Sequence, residues 1–292
     1  MKVLITGGSG QLGRELQLAC PPDIEMVPCD IEELDITNPE RVTARVGEVR
    51  PRVVINAAAY TAVDRAEQER ERVFAVNATG AGNVARAAQA IDARVIQIST
   101  DFVFGGEANR PYSPDTETGP LGVYGASKLA GEQEVLEATE GTALAIRTAW
   151  VYSRFGHNFV KTMLRLMEQR SQLTVVTDQI GSPTWARSLA KVVWKACTHH
   201  DLFGRYHWTD AGVASWYDFA IAIQEEARST GLLENDCQVE PISTADFPTV
   251  ARRPRFSVLD TSAIRRDLDI AATHWRRQLR SMLQDMRDYG ED

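Results

Sequence analysis

A tyrosine and a lysine stand four residues apart in Tyr124-Gly125-Ala126-Ser127-Lys128, where a stretch of helical periodicity begins. This spacing places both side chains on one face of a helix. A nearby ammonium lowers the pKa of a phenol from about 10, which makes the phenol a proton donor usable near neutral pH. Ketone reduction needs such a donor, because a proton must reach the oxygen while hydride reaches the carbon. Taken alone, the pattern is better explained by a half-buried helix tyrosine.

A threonine strengthens the catalytic interpretation. Ser99-Thr100-Asp101 ends an apolar run that predicts a strand at residues 94–99. Ligands of open parallel sheets bind outside the carboxyl ends of the strands. Thr100 is therefore expected in the crevice with its hydroxyl toward a substrate oxygen, and a turn-capping role is the alternative. The order of the three elements favours Thr100, Tyr124 and Lys128 as a catalytic group.

A glycine-rich loop precedes these residues. Gly7, Gly10 and Gly13 lie between the first predicted strand and the first predicted helix. Glycine allows positive φ and a close approach of the backbone, and the helix N-terminus presents free N–H groups and a positive dipole end. Such a triplet is weak by itself, but its place at the first strand–helix junction predicts a pyrophosphate cradle.

An acid in the expected place supports a dinucleotide. Asp30 follows the second predicted strand, 20 positions beyond Gly10, where a carboxylate accepts hydrogen bonds from the adenosine ribose. A solvated loop acid is the simpler alternative. Asp30 would repel a 2′-phosphate and favours NADH, whereas Arg14 would attract one, so NADH and NADPH both stay open.

Strands and helices alternate through the first half of the chain. Strands are predicted at residues 2–6, 25–29, 53–56, 94–99 and 143–147. Helices are predicted at residues 11–20, 39–49, roughly 66–91, and 124–139. The alternation predicts an α/β protein with a Rossmann-type, doubly wound parallel sheet.

The rhythm changes after about residue 150. Helices are predicted at 158–170, 188–200, 215–230 and 274–289, and strands at 173–176 and 205–209. We expect a dinucleotide-binding domain at 1–150 with a return segment near 173–200. A smaller mixed α/β substrate-binding lobe would comprise 151–172 and 201–292.

The composition narrows the classes of partner. The 292 residues carry a net charge of −8, so no general attraction for nucleic acid or anionic membranes is expected. Four cysteines without C-x-x-C spacing favour reduced structural thiols. The apolar start is too short for a signal sequence or membrane span, and the cytoplasm is expected.

Eight stretches make the chain similar to the extended short-chain dehydrogenase/reductase family, within it to reductases of nucleotide-linked 4-keto-6-deoxy sugars. They are GGSGQLG (7–13), NAAAYTAVDRAE (56–67), STDFVFGG (99–106), VYGASKLAGE (123–132), RTAWVY (147–152), GHNFVKTMLRL (156–166), DQIGSPT (178–184) and ARRPRFSVLDT (251–261). The resemblance runs nearly end to end, and its later stretches are far more specific than the glycine loop.

The resemblance implies an activity. NADPH or NADH would reduce the C4 keto group of dTDP-4-dehydro-6-deoxy-L-mannose to give dTDP-L-rhamnose for cell-surface polysaccharide. Tyr124 would donate a proton to the C4 oxygen and Thr100 would orient that oxygen. Lys128 would lower the pKa of the tyrosine and hold the nicotinamide ribose.

The resemblance also implies two binding sets. The cofactor would contact Gly7, Gly10, Gln11, Leu12, Gly13, Asp30, Asp35, Ile36, Ala59, Tyr60, Thr61, Asn77, Tyr124 and Lys128. The nucleotide-sugar substrate would contact Thr100, Asp101, Trp150, Asn158, Arg252 and Arg253, with the two arginines at its diphosphate. Trp150 is equally well explained as a core aromatic, and exposed arginines are usually only solvated.

Some members of the family dimerise through acidic residues and Mg²⁺. Glu15 is present here as a weak metal candidate, but Arg187 lies where a second acid would be sought. A structural Mg²⁺ is therefore doubtful, no metal site is predicted, and a monomer or a homodimer is expected.

Other activities remain open. A dihydrostreptose-type reductase would need nearly the same residues. An epimerase or a 4,6-dehydratase would share the fold, but Asp101 is followed by Phe102 where dehydratases carry a second acid. A regulatory subunit like that of methionine adenosyltransferase is a non-enzymatic alternative, although the catalytic set is intact here.

Overall fold

The computed structural model describes residues 1–290. The strands are β1 Lys2–Thr6, β2 Glu25–Cys29, β3 Val53–Asn56, β4 Arg94–Thr100, β5 Leu144–Thr148, β6 Val151–Tyr152, β7 Gln172–Val176, β8 Ile180–Gly181, β9 Thr184–Trp185, β10 Gly204–His207, β11 Ala214–Ser215 and β12 Gln238–Ile242. The α-helices are α1 Gln11–Leu18, α2 Pro39–Val49, α3 Val63–Ala66, α4 Arg70–Phe74, α5 Ala81–Gln89, α6 Val123–Ala138, α7 Phe159–Gln169, α8 Ala186–Cys197, α9 Trp216–Thr230, α10 Ser262–Asp267 and α11 Trp275–Tyr289.

A six-stranded sheet forms the centre of the molecule. Its strand order is β10-β5-β4-β3-β1-β2, and every neighbouring pair is parallel. Alternate residues of the inner strands enter different cores: Val3 and Ile5 pack on one face of the sheet and Leu4 on the other. The prediction of a doubly wound parallel sheet is confirmed.

The first-half elements agree closely with the sequence pattern, with one exception. Helix α2 begins after Asn38, whose side chain accepts a hydrogen bond from Arg41 N–H, as its Asn-Pro start predicts. The single helix predicted at roughly 66–91 is confirmed for residues 70–89, where the helix is continuous, but residues 63–66 form a separate short helix. The structure has α3, α4 and α5 there, with a π-helical turn at Ala75–Gly80 before α5. Hydrophobic periodicity does not register the extra residue of a π-turn.

The second half forms its own aromatic-rich core, with Phe219 among rings from α7, α9 and α11. Two strands differ from the predicted boundaries. β10, expected in the smaller lobe, is the edge strand of the large sheet beside β5, and β7, expected in the return segment, pairs with β12. We propose a division that places α8 and β10 with the sheet and β7 with the smaller lobe.

The carboxyl ends of β1, β3, β4 and β5 lie along the same edge, because all are parallel and in adjacent positions. Within residues 1–290, none of the helices combines the length and the apolar character needed to cross a bilayer.

Candidate active site

The glycine loop follows β1 and turns directly into α1. Gly7 has φ +70°, and a Cβ on Gly13 would lie 2.6 Å from the Gly8 carbonyl oxygen. No side chain caps the helix at Gly10, so its first-turn N–H groups remain available. The sequence therefore has glycine where a side chain would fill the cradle, and the loop fits a pyrophosphate.

A cavity of about 470 Å³ lies beside this loop. Ser9, Arg14 and Asp30 are among the residues that line it. Asp30 receives the N–H of Ile31 at 2.8 Å, and Arg14 lies over the ring of Phe155 at 5.2 Å. The cavity thus offers a carboxylate for ribose hydroxyls and a guanidinium for an anion.

The other predicted cofactor residues lie at the start of α1 and on the two loops beyond β2 and β3. Asp35 caps its own turn by accepting from Thr37, and Ile36 is buried in the sheet core. Ala59 and Thr61 flank Tyr60 on the loop beyond β3. Gln11 and Leu12 open α1, where Leu12 packs into the sheet core.

Asn77 joins the loop that carries Tyr60 to helix α6. It lies in the π-helical turn, accepts the N–H of Tyr60 at 2.8 Å and donates to the Tyr60 carbonyl at 3.1 Å. Its amide also donates to Ser127 Oγ at 3.0 Å. The π-turn therefore aims one buried amide at two elements, a common use of π-turns at functional sites.

Thr100 is the last residue of β4 and is buried. Its hydroxyl accepts the N–H of Phe102 at 3.2 Å and donates to Asp101 Oδ1 at 3.0 Å. Thr100 therefore caps the turn after β4, and it also lies at the carboxyl edge of the sheet, where a ligand is expected.

Tyr124 lies in the first turn of α6, next to Thr100. Its ring meets Phe102 edge-on at 5.5 Å between centroids. Helix α6 packs so closely on the turn after β4 that a Cβ on Gly125 would collide with the Phe102 carbonyl oxygen. Burial raises the pKa of Tyr124 to about 12, the Thr100 hydroxyl lowers it, and the Asp101 charge raises it further.

Lys128 lies one turn further along α6. Its ammonium donates to the Ile98 carbonyl at 2.7 Å, and burial lowers the pKa of Lys128 to about 8 while Glu132 opposes that change. The expectation that Lys128 lowers the pKa of Tyr124 is not met in this structure. The physical reason is that burial of the phenol dominates and the lysine is committed to a β4 carbonyl.

Asp101 is buried beside Thr100. Its Oδ2 has no hydrogen-bond partner among the described residues, and burial raises the pKa of Asp101 to about 6, with hydrogen bonds from Ser257 and Thr100 opposing. Asp101 therefore presents an acceptor oxygen without a partner among the described residues, next to the Thr100 hydroxyl.

A buried ion pair joins helix α6, which carries Tyr124 and Lys128, to strand β5. The sequence analysis did not predict this pair. Glu132, one turn after Lys128, receives Arg147 Nε at 2.9 Å and Nη2 at 2.8 Å, and it also accepts from Ser99 Oγ. Both charged side chains are almost fully buried. The signal was available: Arg147 is a charge inside the apolar run ALAIRTAWVY, which requires a buried partner.

Trp150 follows β5 and stacks on Trp216, with ring centroids 3.5 Å apart and planes 4° apart. It has φ +49°, uncommon for a large side chain, and it lies on Gly181, which leaves no room for a Cβ. Trp216, Phe159 and Gln179 form one side of an apolar cavity of about 360 Å³. Trp150 thus supports the rear of this cavity and is also a core aromatic.

The polar candidates of the smaller lobe are placed differently from one another. Asn158 caps α7 and donates to Gln11 Oε1 at 3.0 Å, so its amide joins the glycine loop and does not line the apolar cavity. Arg253 lines the cavity and pairs with Asp64. Arg252 is exposed and has no partner within the described residues.

Glu15 is fully buried and its carboxylate is occupied. Oε1 accepts from Ser153 Oγ at 2.6 Å and from Trp185 Nε1 at 3.2 Å, and Oε2 pairs with Arg187 at 2.6 Å. Arg187 also pairs with Asp285. A guanidinium therefore lies between these two acids, and residues 1–290 contain no group of three acids, histidines or cysteines placed to hold a metal ion.

One edge of the parallel sheet carries a glycine-rich turn, a carboxylate after the second strand, and a threonine, a tyrosine and a lysine. Together these features define a class. This is a nicotinamide-dependent oxidoreductase of the extended short-chain dehydrogenase/reductase type.

The comparisons with known proteins are more specific. The model of the family described as RmlD substrate binding domain matches residues 1–288. The dTDP-4-dehydrorhamnose reductase of Aggregatibacter actinomycetemcomitans is 41% identical over 288 residues, covering 96% of this chain and 98% of the relative. A solved dTDP-4-dehydrorhamnose reductase from Clostridium acetobutylicum has a TM-score of 0.92 at 40% identity, covering 98% of this chain and 100% of that one.

A second solved relative contains a cofactor. The dTDP-4-dehydrorhamnose reductase of Bacillus anthracis, in complex with NADP, has a TM-score of 0.92 at 39% identity and covers 97% of this chain and 99% of that one. The chain belongs to the dTDP-4-dehydrorhamnose reductase family.

Proposed function

We propose that the protein reduces the C4 keto group of dTDP-4-dehydro-6-deoxy-L-mannose with NADPH or NADH, giving dTDP-L-rhamnose for polysaccharide biosynthesis. The observation that carries the proposal is that Tyr124 and Lys128 lie on one helix against the carboxyl end of β4, whose last residue is Thr100, at the same sheet edge as the glycine loop after β1. Near-complete coverage of relatives that bear this reductase name supports it.

The residues divide the chemistry between them. A bound NADPH or NADH would supply hydride to C4. Tyr124, whose pKa is raised to about 12, holds its proton at neutral pH and donates it to the C4 oxygen as negative charge develops there. Thr100 would orient that oxygen, and Lys128, one turn further along the same helix, would stabilise the phenolate that remains.

The cofactor would be held by the loops already described. The N–H groups of the glycine loop would take the pyrophosphate, and Asp30 would take the adenosine ribose. Arg14, in the same cavity, would attract a 2′-phosphate, so both cofactors fit.

The apolar cavity would receive the nucleotide end of the substrate. Trp216 and Phe159 offer flat apolar surface for a pyrimidine ring, and Arg253 at the rim offers charge for the diphosphate. We further propose that the chain works in the cytoplasm, with Arg187 in place of a metal beside Glu15.

The decisive experiment follows NAD(P)H oxidation with a panel of nucleotide 4-keto-6-deoxy sugars. The proposal expects fastest turnover with dTDP-4-dehydro-6-deoxy-L-mannose and stoichiometric loss of reduced cofactor. An epimerase would convert substrate without consuming cofactor, since it retains the cofactor through its cycle. Binding of a synthetase with no turnover of any sugar would favour the regulatory alternative.

A further inference from the structure

An ion pair joins the two lobes at the edge of the apolar cavity. Arg253 donates to the carboxylate of Asp64 from Nη2 at 2.7 Å and from Nη1 at 3.1 Å. The backbone N–H of Ala251 donates to the same carboxylate at 3.1 Å. Asp64 lies on α3, three residues beyond Thr61 of the predicted cofactor loop. One acid of the sheet lobe is thus bonded three times to a segment from the other end of the chain.

That segment, residues 247–253, forms the outer side of the cavity and is called here the wall segment. Phe247, Thr249 and Arg253 of the wall segment line the cavity. Phe247 is 54% exposed and Val250 is 61% exposed, so little apolar burial holds the segment down. Across residues 1–290, its hydrogen bonds to the sheet lobe are those made to Asp64. Asp64 therefore supplies the polar contacts that join the wall segment to the sheet lobe, beside the buried side chain of Ala251.

The pairing leaves Arg253 able to bind an anion. A guanidinium has five N–H donors. Three are engaged, two with Asp64 and one with the Ala251 carbonyl at 3.2 Å, which leaves two. An arginine held in one orientation loses less conformational freedom when it binds than a free one does. The Asp64 carboxylate also stays ionised at neutral pH, because the Arg253 guanidinium lowers the pKa of that carboxyl.

We infer that Asp64 is a positioning residue for the substrate: it fixes Arg253 and the wall segment so that the two remaining N–H groups meet the diphosphate of the nucleotide sugar. The inference rests on the proposed function and deepens it. Asp64 itself does not contact the substrate. Its loss should therefore weaken substrate binding and leave hydride and proton transfer unaffected.

The test uses the full chain and measures kcat, KM for the nucleotide sugar at saturating NADPH, and Kd for NADPH. Asp64→Ala should raise KM about tenfold, the effect of losing hydrogen bonds to a charged but partly exposed group. We expect kcat within about twofold of wild type and an unchanged Kd for NADPH. Asp64→Asn keeps an acceptor for the Ala251 N–H, and its KM should lie between those of wild type and Asp64→Ala. Glu71→Gln, an exposed acid on α4, is the matched control and should change nothing.

A double-mutant cycle with Arg253→Ala tests whether Asp64 acts through the arginine. On the Arg253→Ala background, Asp64→Ala should add little to KM; additive effects would overturn the inference. An unchanged KM in Asp64→Ala also overturns it. A lowered KM would mean that Asp64 competes with the diphosphate for Arg253, again the opposite of what we infer.

Failure of the proposed function can be distinguished from failure of the inference about Asp64. If wild type turns over no 4-keto sugar, the proposed function fails, and calorimetric titration with dTDP still tests Asp64. The inference then expects Asp64→Ala to bind dTDP about tenfold more weakly than wild type or Glu71→Gln. Equal dTDP affinity in all three proteins would overturn it.

Discussion

Thr100, Tyr124 and Lys128 are each fixed by neighbours from the protein core, whereas the wall segment at residues 247–253 is exposed along much of its length. Phe102 packs on the tyrosine ring, and the Ile98 carbonyl accepts a hydrogen bond from the lysine ammonium. The buried ion pair between Glu132 and Arg147 joins helix α6 to strand β5. The wall segment is attached to the sheet lobe through one partly exposed acid. This difference in packing matches two different tasks that we propose for the site, proton transfer in the first region and substrate binding in the second.

Groups that move protons must be placed to within a fraction of an ångström, and close packing provides that accuracy. A surface that receives a nucleotide can be less tightly packed, because its contacts contribute mainly to binding. Changes in the first region should therefore alter rate or stability, and changes in the second should alter affinity. The following predictions test that contrast in order of decreasing effect.

Tyr124→Phe should reduce kcat by about 10² to 10⁴, the usual contribution of a positioned general acid. Kd for NADPH should stay near the wild-type value, because the ring still packs on Phe102. Steady-state kinetics and cofactor titration measure the two quantities. Tyr206→Phe, which removes a hydroxyl on edge strand β10, is the control. Unchanged kcat in Tyr124→Phe would refute the assigned role.

Glu132→Gln should lower the free energy of unfolding by about 3 to 5 kcal/mol, because Arg147 would be left buried without its counter-charge. Urea denaturation measures the loss. Glu134→Gln is the matched control, since it removes an acid from the same helix that pairs at the surface with Arg86. Its expected cost is about 0 to 1 kcal/mol. Equal costs for the two variants would contradict the distinction between core and surface.

Asp101→Asn should stabilise the protein in a pH-dependent way. The folded pKa of Asp101 is raised to about 6, so its ionised form costs stability above that pH, and the cost disappears as the pH falls through 6 toward 4. The variant should exceed wild type by up to roughly 3 kcal/mol at pH 8 and match it near pH 4. Unfolding free energies across this range provide the measurement. A difference that does not change with pH would show that the carboxyl is not the cause.

Asp30→Ala should shift cofactor preference toward NADPH by a few-fold, about 1 kcal/mol or less, because the carboxylate is partly solvated. The ratio of kcat/KM for NADPH and NADH measures the shift. Asp23→Ala, an acid outside the cofactor cavity, should leave the ratio unchanged. No change in Asp30→Ala would remove this acid from the ribose site.

Most of the large sheet could be predicted because each strand signal is local. Buried parallel strands are short β-branched runs, and helix α2 is marked by its own Asn38 cap. The helix at residues 70–89 could be predicted, but its π-turn could not, since Asn77 in that turn bonds to Tyr60 and Ser127, which lie 17 and 50 positions away. The places of β7 and β10 depend on pairing partners that no local pattern contains.

The candidate site divides in the same way. Glycine spacing and the Tyr-x-x-x-Lys spacing are short-range features, and the structure places both at one edge of the sheet. Asn158 and Arg253 are predicted as substrate contacts, and the fold gives each a protein partner as well: Asn158 caps a helix and donates to Gln11, and Arg253 pairs with Asp64. A polar side chain has several possible partners, and only the fold selects among them.

By itself the sequence determined the alternation of strands and helices, the loop that must be glycine, and the residues able to exchange a proton, because these depend on neighbours within a few positions. The tertiary structure alone decided which charges are paired. Glu132 meets Arg147, and Asp64 meets Arg253 across 189 positions. Tertiary packing also sets proton affinities: burial raises the pKa of Tyr124, and the effects of the Thr100 hydroxyl and the Asp101 charge on it come from a neighbouring strand end.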